Sequence, residues 1–388
     1  SAKDWITEYM ILELKGFIEY IDNLVNDAKA DVKQEADKIR RKFGNMKFDV
    51  VIGNPPYQQE AKGDSTRDEP IYHDFMNLSY ELAPLVTLIT PGRFLFNAGQ
   101  TPKKWNEKML NDKHMRVVLY QQDSSKIFPK TDIKGGIAIT LRDANEVIGP
   151  IGTFTIYNQL NSIVRKVNTS DNLSTIISSQ GLFRFSEYAL KLHPEILKKT
   201  GKGTKSKITS KVFGSLNEIF TLSPNSDSDI KMLGLINGKR QYRYIKRDYL
   251  EENSYIDAYK VFIPESNGSG AIGEVLSTPL VGTPLVGTPL VGTTDTFLSI
   301  GLFDNNIEAN NLLKYIKSKF ARTMLGVKKI TQHNPRATWI MVPMQNFTSK
   351  SDIDWSKSIP EIDQQLYKKY DLSKDEINFI ETKVQAMD

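Results

Sequence analysis

Apolar residues recur at intervals of three and four through residues 4–43, at Met10, Leu14, Phe17, Ile18, Ile21, Leu24 and Val25, and predict one long helix. The segment turns rich in Lys, Glu and Asp toward Phe43, and Gly44-Asn45 ends it. Residues 47–53 form a short β-branched apolar run, which predicts a buried parallel strand. Helical spacing resumes over 71–83, and 86–90 reads as a second buried strand closed by Pro91-Gly92. Strand, helix and strand in that order imply a right-handed crossover in an open α/β sheet. A further helix is expected over 102–111, and apolar runs at 116–120 and 136–142 predict a hairpin ending the sheet.

Beyond about residue 153 the pattern breaks into short apolar runs separated by Ser, Asn, Gly and Lys clusters, the texture of an α+β region with many loops. Its basic stretches are 198–211 and Lys239-Arg240-Gln241-Tyr242-Arg243-Tyr244-Ile245-Lys246-Arg247, the latter interleaving cations with aromatics. Residues 278–292 are three identical copies of Thr-Pro-Leu-Val-Gly, a period too short for a solenoid, and read as a duplicated surface loop. Residues 360–387 predict a helical hairpin whose second helix opens on the capping box Ser373-Lys374-Asp375-Glu376. The resulting division is an amino-terminal helix (1–46), an α/β region (47–150), an α+β region (151–345) and a carboxyl-terminal helical segment (346–388).

Composition narrows the chemistry. The 388 residues are 39% hydrophobic and 25% charged, ordinary for a globular chain of two or three domains. There is no cysteine, and the four histidines are scattered, which excludes disulfide frameworks, thiolate metal sites and Cys nucleophiles and leaves no metal-ligand spacing. The net charge of +5 suits a polyanionic partner without demanding one. No apolar run approaches the roughly 20 residues that cross a bilayer, and the start Ser1-Ala2-Lys3-Asp4-Trp5 has no signal-peptide pattern, so a cytoplasmic location is expected. A start without Met reads as a piece of a longer protein.

The strand 47–53 runs straight into Asn54-Pro55-Pro56-Tyr57. An exocyclic amine on a nucleobase is a poor nucleophile, because its lone pair is delocalised into the ring. Two carbonyl acceptors can bias it by each taking one amine hydrogen, turning the lone pair toward an electrophilic methyl group. The Asn54 side chain and the Pro55 backbone supply two such acceptors, and Tyr57 supplies a ring to stack on the base. The prolines keep the backbone extended, so that these groups converge just past the strand's carboxyl end, where open α/β sheets bind ligands.

In residues 48–142 the chain resembles the gamma-type adenine-N6 DNA methyltransferases, including those of type II restriction-modification systems that fuse a recognition domain. Phe48-Asp49-Val50-Val51-Ile52-Gly53 leading into Asn54-Pro55-Pro56-Tyr57 is similar to the family's catalytic motif. Pro70-Ile71-Tyr72-His73-Asp74-Phe75 resembles its next motif, which implies that Phe75, with Pro56, lies against the adenine of S-adenosylmethionine. Leu88-Ile89-Thr90-Pro91-Gly92-Arg93-Phe94-Leu95 looks like the strand and turn that shape the pocket. Ile127-Phe128-Pro129 is similar to the motif whose aromatic ring stacks on the extrahelical base, implying a sandwich between Tyr57 and Phe128. The resemblance implies an α/β fold: a partial Rossmann-like methyltransferase sheet, then an α+β target-recognition domain and a carboxyl-terminal helical hairpin. Double-stranded DNA is the implied partner, with Lys239, Arg240, Arg243, Lys246 and Arg247 as phosphate contacts.

One departure stands out. The family's glycine-rich cofactor motif, and the acidic residues that hold ribose and base, should precede Asn54. Residues 1–46 read as helix and are too few for βαβ units of about 30 residues each. Gly268-Ser269-Gly270-Ala271-Ile272-Gly273 fits the glycine spacing, but Ser277-Thr278-Pro279 cuts off any following helix, so it reads as a loop. The alternative to a complete enzyme is therefore a DNA-recognition fragment that needs a cofactor-binding portion, or another restriction-modification subunit. Methylation of a protein glutamine by the same chemistry is a third reading, which gives the large basic region no task. No nuclease arrangement is found: Asp352 and Asp354 have no partner motif and read as solvated loop charges.

Overall fold

The computed structural model describes residues 31–59, 68–133, 135–167, 170–200, 206–266, 285–329 and 333–387. The chain divides into two units, Ser1–Ile156 and Tyr157–Asp388. In the first, the helix Val32–Lys42 begins at Asp31, whose carboxylate accepts the Lys33 N–H at 2.9 Å. It stops where Gly44 and Asn45 take positive φ (66° and 62°), a left-handed turn that these two residue types tolerate. The earlier part of the helix expected over 4–43 lies outside the described residues.

Six strands follow: β1 (Val50–Gly53), β2 (Gln58–Gln59), β3 (Glu69–Pro70), β4 (Leu85–Pro91), β5 (Met115–Gln121) and β6 (Ile137–Asp143). Four of them form a sheet in the order β1-β4-β6-β5, while β2 and β3 pair as a small antiparallel ribbon. β1 and β4 are parallel, with Val51 opposite Val86, and the helix Tyr72–Leu82 lies between them in the chain. β6 runs antiparallel to both β4 and β5. Met76, Val86, Leu88, Phe94, Trp105, Met115 and Ala138 make the core of this unit.

The runs at 116–120 and 136–142 pair as the hairpin that ends the sheet, with β6 lying between β4 and the outer strand β5. Ile137 and Ala138 are fully buried accordingly. The strand before Asn54 is parallel but not buried: Val50 and Ile52 are 44% and 77% exposed, whereas Val86 and Leu88 on β4 are 1% and 3% exposed. Val50 and Ile52 point to the same face of β1, and that face is left largely open among the described residues.

The second unit contains β7 (Ile230–Ile236), β8 (Lys239–Ile245), β9 (Tyr259–Pro264), β10 (Leu285–Gly287), β11 (Val291–Thr293) and β12 (Phe297–Phe303). They form two three-stranded sheets, β11-β7-β8 and β10-β9-β12. Helices Asn306–Lys317, Lys319–Gly326, Ile359–Lys369 and Lys374–Lys383 share one core with β9 and β12, through Ile300, Leu312, Tyr315, Phe320, Leu366 and Ile380. Reciprocal capping boxes, Ser358 with Glu361 and Ser373 with Glu376, start the last two helices. The Asp363 carboxylate accepts the first backbone N–H groups of the neighbouring helix, Lys319 at 3.0 Å and Phe320 at 2.9 Å.

The Thr-Pro-Leu-Val-Gly copies are not simply a surface loop. The first copy lies outside the described residues, as does the glycine string 268–273. β10, from the second copy, adds antiparallel to β9, and β11, which begins in the third, adds parallel to β7. Pairing with β9 and β7 prevails over the turn preference of Thr and Pro, the Leu-Val pair being strand-forming. The two described repeat glycines sit where a side chain would collide. A Cβ at Gly287 would lie 2.7 Å from Lys260 Cγ, and one at Gly292 would lie 2.6 Å from Met232 Sδ and 3.1 Å from the Phe183 ring. Lys260 itself is fully buried, and its ammonium donates to the carbonyls of Ala258 (2.9 Å), Thr288 (3.3 Å) and Ile256 (3.4 Å). Burial pulls its pKa from 10.5 down to about 7, against the opposing pull of Asp257.

Two outcomes are expected. Gly292→Ala lowers the unfolding free energy by about 1–3 kcal/mol in urea titrations, the usual cost of overpacking. For Lys260 the unfolded chain binds the proton more tightly than the folded one, so its contribution to stability rises as pH climbs from about 7 to 10.5. Lys260→Met should flatten that rise; an unchanged slope in melts across this window would show the ammonium is not strained by burial.

Candidate active site

The carboxyl ends of the parallel strands β1 and β4 open onto a cavity of about 620 Å³. From β1 come Asn54, Pro55, Pro56, Tyr57 and Gln58; from the end of β4 come Pro91 and Arg93. The ribbon β2–β3 folds the chain back to the same place. Ile71 N–H donates to the Tyr57 carbonyl at 3.0 Å, and Gln58 Nε2 donates to Asp68 Oδ2 at 2.7 Å, which brings Asp68, Pro70 and Tyr72 to the wall. Gly99 and Gln100, with Asp132 and Ile133, complete it.

Asn54 is exposed at the strand end, and Pro55 is half-buried. Tyr57 is half-buried too, yet its hydroxyl is shielded from solvent and has no hydrogen-bond partner among the described residues. Burial pushes this phenol up to about 12, so it stays neutral at any physiological pH. Tyr72 is almost fully buried, edge-on to Trp105 with ring centroids 6.1 Å apart. Desolvation raises its pKa to about 12 as well, offset in part by a hydrogen bond with Thr101 and by the Arg93 charge. The wall thus offers amide, carbonyl and aromatic groups, one guanidinium and two carboxylates among its described residues.

The residues expected from sequence are distributed unevenly. Asn54, Pro55, Pro56 and Tyr57 all line the cavity. Phe75 is 4% exposed inside the unit, and it is Tyr72, one helical turn earlier, that reaches the wall. The periodicity of 71–83 contained this information, since Tyr72, Phe75 and Met76 lie on the buried side of one helix. Phe128 is half-buried in a tight turn, its N–H bonded to Ser124 O at 2.8 Å and its carbonyl accepting the Thr131 hydroxyl at 2.7 Å. The same loop presents Asp132 and Ile133 to the cavity, while Phe128 is not among the lining residues. Arg93, Gln58 and Gln100 were missed; only the turn after β4 hinted at Arg93.

In the second unit, Lys239, Arg240 and Arg243 lie on β8, with Lys246 and Arg247 just beyond. Arg240 sits 5.4 Å over the Phe297 ring and Lys246 5.5 Å over Tyr249, while Arg243 bonds the Asn217 side chain. Arg247 differs: Asp257 at 2.7 Å and Glu252 at 3.2 Å hold its guanidinium and raise its pKa. Lys369 engages Asp352 at 2.8 Å, and Asp354 accepts the N–H and hydroxyl of Ser356. Among the described residues no three His, Asp or Glu side chains group as a metal site, and no helix is long and apolar enough to cross a membrane.

Residues 6–128 match the family model of the Eco57I restriction-modification methylase. Within the chain, 98 residues are 36% identical to an uncharacterized adenine-specific methylase of Mycoplasma pneumoniae, an alignment covering 24% of this chain and 23% of that protein. The chain therefore spans about a quarter of the length of this curated relative. Among solved structures, the type IIG restriction endonuclease BpuSI aligns at 14% identity and a TM-score of 0.29, over 86% of this chain and 47% of that one. The ATP-dependent Type ISP restriction-modification enzyme LlaBIII bound to DNA aligns at 11% identity and a TM-score of 0.24, over 77% and 29%. Neither score establishes a common fold.

The Tyr57 hydroxyl gives a direct check. Tyr57→Phe should leave the unfolding free energy unchanged or raise it by up to about 1 kcal/mol, because it removes a buried group with nothing to bond. A clear loss in thermal melts would reveal a partner for that hydroxyl.

Proposed function

We propose that this chain forms the base-accepting and DNA-reading part of a site-specific DNA adenine-N6 methyltransferase of a restriction-modification system, with S-adenosylmethionine as methyl donor. The observation that carries the reading is the cavity at the paired strand ends, walled by Asn54, Pro55 and Tyr57. The match of residues 6–128 to a restriction-modification methylase model supports it.

An adenine turned out of its duplex is small enough for a cavity of this size. Asn54 Oδ1 and the Pro55 carbonyl each accept one N6 hydrogen, which orients the amine. Their dipoles also favour the positive charge that nitrogen acquires as it forms its new bond. Tyr57 stacks on the base with a neutral ring. We assign the other face to Phe128, which is carried by the loop that also brings Asp132 and Ile133 to the wall. In the second unit, Lys239, Arg240, Arg243 and Lys246 contact phosphates and fix register, while Arg247 is held by Asp257 and Glu252.

The donor set fits the methyl acceptor and not the whole donor molecule. Among the described residues no glycine-rich turn leads from a strand into a helix beside β1. Pro56 and Tyr72 are the wall residues left for the donor's side, Tyr72 replacing the expected Phe75.

In the intact methyltransferase, Asn54→Ala should cut formation of N6-methyladenine in unmodified genomic DNA by about a hundredfold or more, as misplacement of a reacting group does. DNA binding measured by gel shift should change little. Equal loss of both would remove Asn54 from its assigned role.

A further inference from the structure

The cavity wall carries two carboxylates, Asp68 and Asp132, and a single cation among its described residues, Arg93. A nucleotide entering from DNA brings a phosphate on each side of its sugar, so this cation is the group on the wall with the chemistry to receive one. Its placement is specified by three segments of chain. Arg93 stands in the short 3-10 turn Gly92–Phe96 directly after β4, whose start is tied by the Gly92 N–H to the Gly136 carbonyl at 2.9 Å. The Ala98 N–H bonds the Arg93 carbonyl at 3.2 Å, which curls the following turn back over the side chain.

Two glycines then make the slot. Gly99 has φ +95°, and a Cβ there would lie 3.2 Å from Arg93 Cβ and 3.3 Å from its Cδ. Gly135 has φ +85°, and a Cβ there would overlap Arg93 Cγ. Both positions have the left-handed backbone that glycine adopts without penalty, so local conformation and space for the arginine stem demand the same residue. A stem gripped in this way pre-organises the guanidinium, whose five N–H donors let it take a tetrahedral anion alongside the interactions it already makes.

We infer that Arg93 binds a phosphate flanking the adenosine whose amine Asn54 and Pro55 receive. The inference rests on the adenine-acceptor reading of the cavity. The same guanidinium chemistry would also suit a carboxylate, such as that of the amino-acid part of the methyl donor, and the test separates the two sources.

The chain is titrated calorimetrically with deoxyadenosine, with deoxyadenosine 3′,5′-bisphosphate and with S-adenosylhomocysteine. The bisphosphate should bind on the order of tenfold tighter than the nucleoside, the worth of one charge-assisted pair at a half-exposed site. Arg93→Gln should abolish that gain while weakening deoxyadenosine binding far less, and Arg93→Lys should restore part of it. Gly135→Ala, which displaces the stem but keeps the charge, should also lose it. A gain that survives in Arg93→Gln overturns the inference, as does an equal loss of nucleoside binding, which would make Arg93 a structural brace. Sensitivity confined to S-adenosylhomocysteine assigns the anion to the donor's carboxylate and likewise overturns it. If deoxyadenosine fails to bind, or binds equally well to Asn54→Ala, the adenine-acceptor reading falls, and the role of Arg93 with it.

Discussion

The parallel pairing of β1 with β4 is the constraint on which the candidate site depends. Parallel neighbours end at the same edge of a sheet, so the residues that follow each strand emerge side by side. Asn54 and its neighbours leave β1 at the edge where Pro91 and Arg93 leave β4. Alternation along β4 then anchors the edge: Val86 and Leu88 are buried, and a slip of one residue would turn them outward and move the whole wall. β6 contributes by holding β4 on its other side over seven paired positions from Leu85 to Pro91.

The cavity combines rigid hydrophobic backing with polar groups left for a ligand. Tyr72, Phe94 and Trp105 pack against one another behind the wall, which fixes its shape. In front of them the Tyr57 hydroxyl lies buried without a described partner, and the Asn54 amide stands exposed. Buried polar groups are normally paired, and unpaired ones concentrate where a site has yet to receive its ligand or stores strain for function.

The second unit uses the opposite logic, spending its charged groups on its own architecture. Lys260 ties the third pentapeptide copy to the start of β9 through carbonyls, Asp363 caps a neighbouring helix, and Arg247 is bound by two carboxylates. On β8, Arg240 lies over the Phe297 ring, and Arg243 lies over the Phe213 ring and bonds the Asn217 side chain. Basic composition alone does not separate these two kinds of cation. Proximity to Glu252 and Asp257 does.

Local signals in the chain determined the helices at 71–83 and 102–111, the strands on either side of the first of these, the capping box at Ser373 and the chemistry of residues 54–57. Each depends on interactions within a few residues: periodicity, caps, proline stiffness and the groups a side chain carries. Tertiary structure alone decided that β6 lies inside the sheet, that repeat segments become strands of two different sheets, and that Tyr72 rather than Phe75 reaches the cavity. It alone showed Arg93 threaded between Gly99 and Gly135. Strand order, sheet membership and the facing of a side chain toward a cavity depend on partners far away in sequence, and a pentapeptide with one set of local preferences can satisfy two different partners.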